Sequence, residues 1–272
     1  MTIDPAISAY YENAPEETRL EMGAAQLEEL RSRELILRHL LPAPAVILDV
    51  GGAAGAYSFW LAERGYDVRL FDAVPRLVEI ARQRNERAAR KLAGCSIADA
   101  RALPEPDESA SAMLLLGPLY HLVQAEDRRR ALSESLRVLR PGGVLIAAGI
   151  SRWASALDGL SRELLRDRDF GAIVERDLRD GNHRNTTERI DYFTTAYFHR
   201  PEDLRREVGD AGFDVEGLYG VEGPGWILSD LADRWKDPER REILLQVARA
   251  LESEPSVIGC SAHLIVVGRK PS

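Results

Sequence analysis

Short apolar runs alternate along this chain with stretches whose leucines recur every three or four positions. The runs Ala45 to Val50, Asp67 to Phe71, Cys95 to Ala98, Ala112 to Leu116 and Val144 to Ala148 are mostly continuous rather than alternating, as buried parallel strands are. Helical segments separate them: Gly55 to Arg64, stopped by Gly65; a helix opened by Pro75 that ends before Gly94; and a charged amphipathic helix from Glu126 to Leu139. Arg140-Pro-Gly-Gly143 reads as the turn into the fifth strand. Strand and helix alternate, with a polar turn from Pro104 to Ser111 in place of a helix between the third and fourth strands, and predict a doubly wound α/β sheet with helices on both faces. Before it, Leu27, Leu30, Leu37 and Leu41 fall at helical spacing, so residues 5 to 41 read as helical up to Pro42 and Pro44. After it, residues 151–200 break the rhythm. They are rich in Arg, Asp and Glu, with Leu157, Leu160, Leu164 and Leu165 at helical spacing, and read as a cap inserted after strand five. A helix from Pro201 to Ala211, strands at Asp214 to Gly220 and His263 to Gly268, and a charged helix from Leu231 to Leu251 complete a seven-stranded mixed sheet. The predicted division is 1–44 (helical lid), 45–150 (ligand-binding core), 151–200 (cap) and 201–272 (completion of the sheet).

The first strand runs straight into a small-residue turn, Val46-Ile-Leu-Asp-Val-Gly-Gly-Ala-Ala-Gly-Ala-Tyr57. Such a turn lets a ligand approach backbone. The second strand, Val68-Arg-Leu-Phe-Asp72, ends in a carboxylate placed to accept hydrogen bonds from ribose hydroxyls. Together they predict a nucleoside-bearing ligand at the first strand–helix turn.

With these residues in view, the chain resembles the class I S-adenosylmethionine (SAM) dependent methyltransferases, by motif over residues 45–150 and by element order throughout. Asp49-Val-Gly51-Gly52-Ala53-Ala-Gly55 stands where that family has acid-x-Gly-x-Gly-x-Gly, with Ala53 in place of the middle glycine. The resemblance implies that Asp72 holds the ribose, that Asp99 and Ala100 bracket the adenine, and that the carbonyls of Leu116 and Gly117 meet the methionine ammonium. Leu115-Leu-Gly-Pro-Leu-Tyr-His-Leu122 resembles bacterial enzymes of this family acting on small molecules in specialised metabolism. By the same resemblance Tyr11 would lie over the methionine end of the cofactor and Arg31 would meet its carboxylate. S-adenosyl-L-homocysteine (SAH) is the implied product.

The sulfonium methyl of SAM is already electrophilic, so the protein mainly aligns a nucleophile, a contribution of up to roughly 7–11 kcal/mol. His121, just past strand four, is the candidate base; its alternative role is to cap the next helix or pair with the lid. Tyr120 shares its location, as pocket residue or packing. His183, Asn185, Tyr197 and His199 lie in the cap and are candidate substrate contacts, each also readable as packing. An aromatic cap suits a flat, aromatic or heterocyclic acceptor. Arg128 to Arg130 read as a solvated helix face, and His263 as a residue of a regular element.

A net charge of -8 on 272 residues disfavours a nucleic-acid partner. Cys95 and Cys260 form no metal-ligand spacing and read as buried free thiols, so no metal is expected. The N-terminus lacks the pattern of a signal peptide, and no apolar run approaches the roughly 20 residues of a membrane span, which predicts a cytoplasmic protein, with homo-oligomers possible. An NAD-dependent oxidoreductase would need Gly where Val50 stands. A SAM-binding sensor and a methyltransferase acting on macromolecules remain open at this stage.

Overall fold

The computed structural model describes residues 4–14, 19–20, 23–187 and 189–272. In chain order the first elements are α1 (Pro5–Asn13), α2 (Ala24–His39), β1 (Val46–Val50), α3 (Ala56–Ala62), β2 (Asp67–Asp72), α4 (Pro75–Arg87), β3 (Gly94–Ile97) and β4 (Ala110–Leu115). Next come α5 (Pro118–His121), α6 (Ala125–Val138), β5 (Leu139–Ser151), α7 (Ala154–Ser161), α8 (Arg168–Asp180), β6 (Asn182–His183) and β7 (Ala196–His199). The chain closes with α9 (Pro201–Asp210), β8 (Asp214–Gly220), α10 (Leu231–Lys236), α11 (Pro238–Leu251) and β9 (His263–Arg269).

β1 to β5 pair in parallel in the order β3-β2-β1-β4-β5. β9 runs antiparallel along β5 and β8 antiparallel along β9, which makes the mixed sheet expected from the sequence. Neighbouring positions of each strand face opposite layers. Ile47, Leu114, Val144 and Ile146 pack under α2 and α3 through Leu35, Ile36, Trp60 and Leu61. Leu48, Met113, Leu115 and Leu145 pack on the other face, against Leu132 of α6 and Leu204 and Val208 of α9.

Three boundaries differ from the sequence reading. The helical stretch expected from 5 to 41 is two helices: Ala14 is extended (φ -76, ψ 139), and α2 starts after Gly23 at φ 61. The helix expected from Leu231 to Leu251 divides at Asp237, whose carboxylate accepts from the amides of Glu239 and Arg240 and so caps a fresh helix with Pro238 in its first turn. β5 is far longer than Val144 to Ala148. Arg140-Pro-Gly-Gly143 is an irregularity inside it, between the pairs Ala110↔Leu139 and Ala112↔Val144. Beyond that point the β9 ladder carries β5 to Ile150.

Residues 151–200 hold α7, α8 and the hairpin of β6 and β7, and β7 pairs in parallel with the last two residues of β5, Ile150↔Phe198 and Ser151↔His199. Helix α1 is tied to the rest by side chains: Arg76 of α4 donates to the carbonyls of Tyr11 and Ala14, and Thr194 Oγ1 donates to the carbonyl of Ala6. Among the described residues no helix is long and apolar enough to cross a membrane. Cys95 and Cys260 are free and half-buried rather than buried.

Candidate active site

A crevice of about 360 Å³ opens at the carboxyl ends of the parallel strands. β1 delivers Asp49 to its floor, where Ser58 Oγ donates to Oδ2 at 2.5 Å. Burial pushes the Asp49 carboxyl up to about 6; the Ser58 bond works against that, and the nearby Asp72 charge adds to it. The turn behind β1 is tied to the end of β2. Gly51 and Gly52 donate to the Phe71 carbonyl at 2.7 and 3.1 Å, and the Ala53 amide donates to Asp72 Oδ2 at 2.9 Å.

The glycines answer first to the protein itself. A Cβ on Gly51 would stand 2.4 Å from the Pro118 ring, and one on Gly52 2.9 Å from the Asp49 carboxyl. Ala53 adopts φ 47, the left-handed region. That conformation explains why a glycine suits the position, and it costs a non-glycine residue about 1–2 kcal/mol.

The nucleoside candidates come together as the sequence implied. Asp49, Gly51, Gly52, Ala53, Asp72, Asp99, Ala100, Leu116 and Gly117 all line the crevice; Gly55 does not, and opens α3 at φ 87 against Phe59. Asp72 Oδ1 also accepts from the Val74 amide at 2.8 Å, which fixes the carboxylate at the end of β2. Asp99 is gripped by Arg101, whose Nε and Nη2 lie 2.9 and 2.6 Å away. Burial raises its carboxyl, but the Arg101 bonds outweigh that and hold it below the usual range.

At the other end Tyr11 and His121 meet. His121 Nδ1 lies 3.1 Å from the Thr195 carbonyl, which can only accept, so Nδ1 carries the hydrogen. Nε2 is then the acceptor and receives the Tyr11 hydroxyl at 2.7 Å. Burial pushes His121 down to about 4, against the Thr195 bond that raises it, so the ring is neutral at pH 7. The desolvation that lowers it comes from the packing around α5 and is not legible in the sequence.

A second cavity of about 280 Å³ adjoins the crevice, the two sharing Tyr11, Arg19, Tyr120 and His263. Its walls are aromatic: Tyr10, Phe170, Tyr192, Phe193 and Trp226. Phe193 reaches in from a left-handed backbone, φ 65.

The cap candidates separate. His183 lines the chamber, but its ring is held by Asp177 and the Tyr192 carbonyl, both at 2.8 Å, and stacks on Phe198. Asn185, Tyr197 and His199 line neither cavity. Asn185 Nδ2 donates to the carbonyls of Arg189 and Phe193 and so shapes the turn that carries Phe193. Tyr197 and His199 share one side of β7, because strand residues two apart do, and that side meets Arg128 and Glu207. Arg128 itself is buried, not solvated: it pairs with Glu207 and donates to the carbonyls of Leu122 and Val123.

Arg31 does not reach the crevice. It is fully buried and paired with Glu34 and Glu252, and it donates to the Val221 carbonyl. The residues of α2 that do line the crevice are Glu28 and Ser32, with Tyr57 of α3 and Arg19 beside them. Arg19 grips Glu28 through two bonds of 2.7 and 2.9 Å. His263, read from the sequence as part of a regular element, is the first residue of β9 and faces both cavities.

These groups fit SAM: Asp72 is a fixed carboxylate that could accept from a pair of hydroxyls, Ala100 offers an apolar wall beside Asp99, and the buried Asp49 carboxyl would be relieved by a neighbouring cation.

Comparison with known proteins agrees. Residues 48–147 match a family described as a methyltransferase domain. An uncharacterized methyltransferase of Mycobacterium tuberculosis is 33% identical over 198 residues, covering 72% of this chain and 74% of that protein. A ubiquinone/menaquinone biosynthesis C-methyltransferase of Acidiphilium cryptum is 34% identical over 108 residues, 39% of this chain and 42% of its own length. A SAM-dependent methyltransferase structure from Methanosarcina mazei shares the fold, with TM-score 0.59 at 17% identity over 87% of this chain and 97% of that one.

Proposed function

We propose an acceptor and a proton route for this chain, which belongs to the class I SAM-dependent methyltransferases: it methylates an oxygen or ring carbon of a small aromatic or heterocyclic molecule, with Tyr11 and His121 removing the proton. The observation that carries this reading is the Tyr11–His121 hydrogen bond at the border between the crevice and an aromatic-walled chamber.

SAM supplies an electrophilic methyl group and leaves as SAH. The chain's own residues do the rest. Asp72 would hold the ribose, and the Asp49 carboxylate would supply negative charge to the cationic cofactor. The rings of Tyr10, Tyr120 and Phe193 hold a flat acceptor in line, since such rings prefer stacked or edge-to-face neighbours. As the acceptor's lone pair or ring carbon forms the new bond to the methyl, the carbon–sulfur pair of electrons stays on sulfur. The acceptor's proton passes to the Tyr11 oxygen while the Tyr11 hydrogen moves to Nε2 of His121.

A histidine pushed down to about 4 is a weak base. It can take a proton from a strong acid, such as the oxonium or ring-protonated species left by O- or C-methylation, and not from an aliphatic ammonium. This favours oxygen or ring carbon over an aliphatic amine. The Acidiphilium relative carries a C-methyltransferase name, which is consistent with that choice.

The test is transfer of labelled methyl from SAM to a panel of phenols, hydroxylated heterocycles and aliphatic amines. Label in the first two classes is the expected result. Label confined to amines would refute the proton route.

A further inference from the structure

The structure assigns a second role at the junction of the two cavities: we propose that His263 is a specificity residue whose Nε2–H donates to an anionic oxygen of the methyl acceptor. This deepens the reading above and rests on it.

His263 pairs with Ile150 at the ligand end of the sheet. Its Nδ1 lies 2.6 Å from Glu222 Oε1, with Glu28 Oε2 3.8 Å away. Glu222 is buried and fixed, accepting from Ser261 Oγ at 2.6 Å and from the His263 amide at 3.0 Å. A carboxylate only accepts, so Nδ1 holds a hydrogen and the other edge of the ring is the one left for a ligand. Among the described residues Nε2 has no partner, and the side chain keeps 24% of its surface exposed where it lines both cavities.

The charges around the ring decide its state. Burial disfavours the cation, but Glu28 and Glu222 outweigh burial and the opposing Arg19, and hold His263 at about 9. Asp158 and Asp191 line the chamber as well. At neutral pH the ring is an imidazolium with one N–H directed away from its acidic partners. Charge-assisted bonds of this kind are roughly twice as strong as neutral ones. A carboxylate on an aromatic body would gain; the matching amide would gain less, and an ammonium would be repelled.

Calorimetry on SAH-loaded protein with benzoate, benzamide and benzylamine tests this. SAH binding by the unaltered protein is measured first and tests the underlying reading separately. Benzoate should bind at least about tenfold tighter than benzamide, with benzylamine weakest. In His263→Gln that preference should vanish while SAH affinity holds. Glu222→Gln leaves the ring in place and should lower the pH at which the preference disappears; in the unaltered protein it should fade as pH rises through about 9. No preference for benzoate, or a preference that survives in His263→Gln, overturns the proposal. A drop in SAH affinity in His263→Gln, with 5′-methylthioadenosine unaffected, would also overturn it, because the anion served would then be the cofactor's own carboxylate.

Discussion

The two ends of the crevice are built differently. The nucleoside end comes from adjoining pieces of chain: the turn after β1, the end of β2 and the end of β3, held by backbone bonds such as Gly51 to Phe71. The acceptor end joins parts far apart in sequence. Tyr11 meets His121 across 110 positions, and His121 meets Thr195 across 74. The first end is set by the sheet itself. The second depends on helix α1, helix α5 and the segment before β7 arriving together. The lesson is that binding and turnover should separate under mutation.

The largest separation should come from His121→Ala. Turnover of the acceptor found by label transfer should fall about 10²–10⁴-fold, while SAH affinity changes little. A comparable loss of SAH affinity would merge the two ends. Next, Asp72→Ala removes a charged acceptor from two hydroxyls and from the Ala53 and Val74 amides, and should weaken SAH by roughly 100-fold in calorimetry.

Asp49 gives a smaller effect with a definite sign. It must be ionised to favour the sulfonium, and burial has raised it to about 6. SAM affinity should therefore be flat above neutrality and fall, by up to about tenfold per pH unit, as pH drops below 6. Affinity that rises in acid would contradict this. Smallest for function is Arg31→Met. It leaves Glu252 to Arg38 and Glu34 to Arg249 and frees the Val221 carbonyl, and should destabilise the fold by about 1–3 kcal/mol in denaturant unfolding. SAH affinity should stay within about twofold, since Arg31 lies outside the crevice.

The same contrast governs what the sequence discloses. Apolar runs mark strands, and in a parallel sheet the carboxyl end of each run faces the ligand, so Asp72 can be placed from the pattern itself, while Asp49 and Asp99 follow from the family resemblance. Helix residues have no such guide. Leu27, Arg31 and Leu35 are four apart and share one stripe, which marks Arg31 as buried with its leucines; Glu28 and Ser32 form the next stripe, which turns out to meet the crevice. The period relates these residues to each other but does not say which stripe meets the ligand. His263 was hidden for a related reason: β9 runs antiparallel, so its first residue, not its last, stands at the ligand end. For the cap, Tyr197 and His199 carry plausible chemistry, and only the pairing of β7 with β5 reveals that they turn away.

That pairing has a mechanical consequence. Because Phe198 and His199 are laddered to Ile150 and Ser151, the segment bearing Phe193 and Thr195 is stitched into the same sheet as the turn after β1. Swinging it open would break main-chain bonds worth about 1 kcal/mol each. Helix α1 has no such ladder: its described ties are side-chain contacts, among them the Arg76, Tyr11 and Thr194 hydrogen bonds, the Tyr10 ring edge-on to Phe193 and the buried Ile7, so substitutions that weaken them should loosen α1 before they loosen the β7 segment.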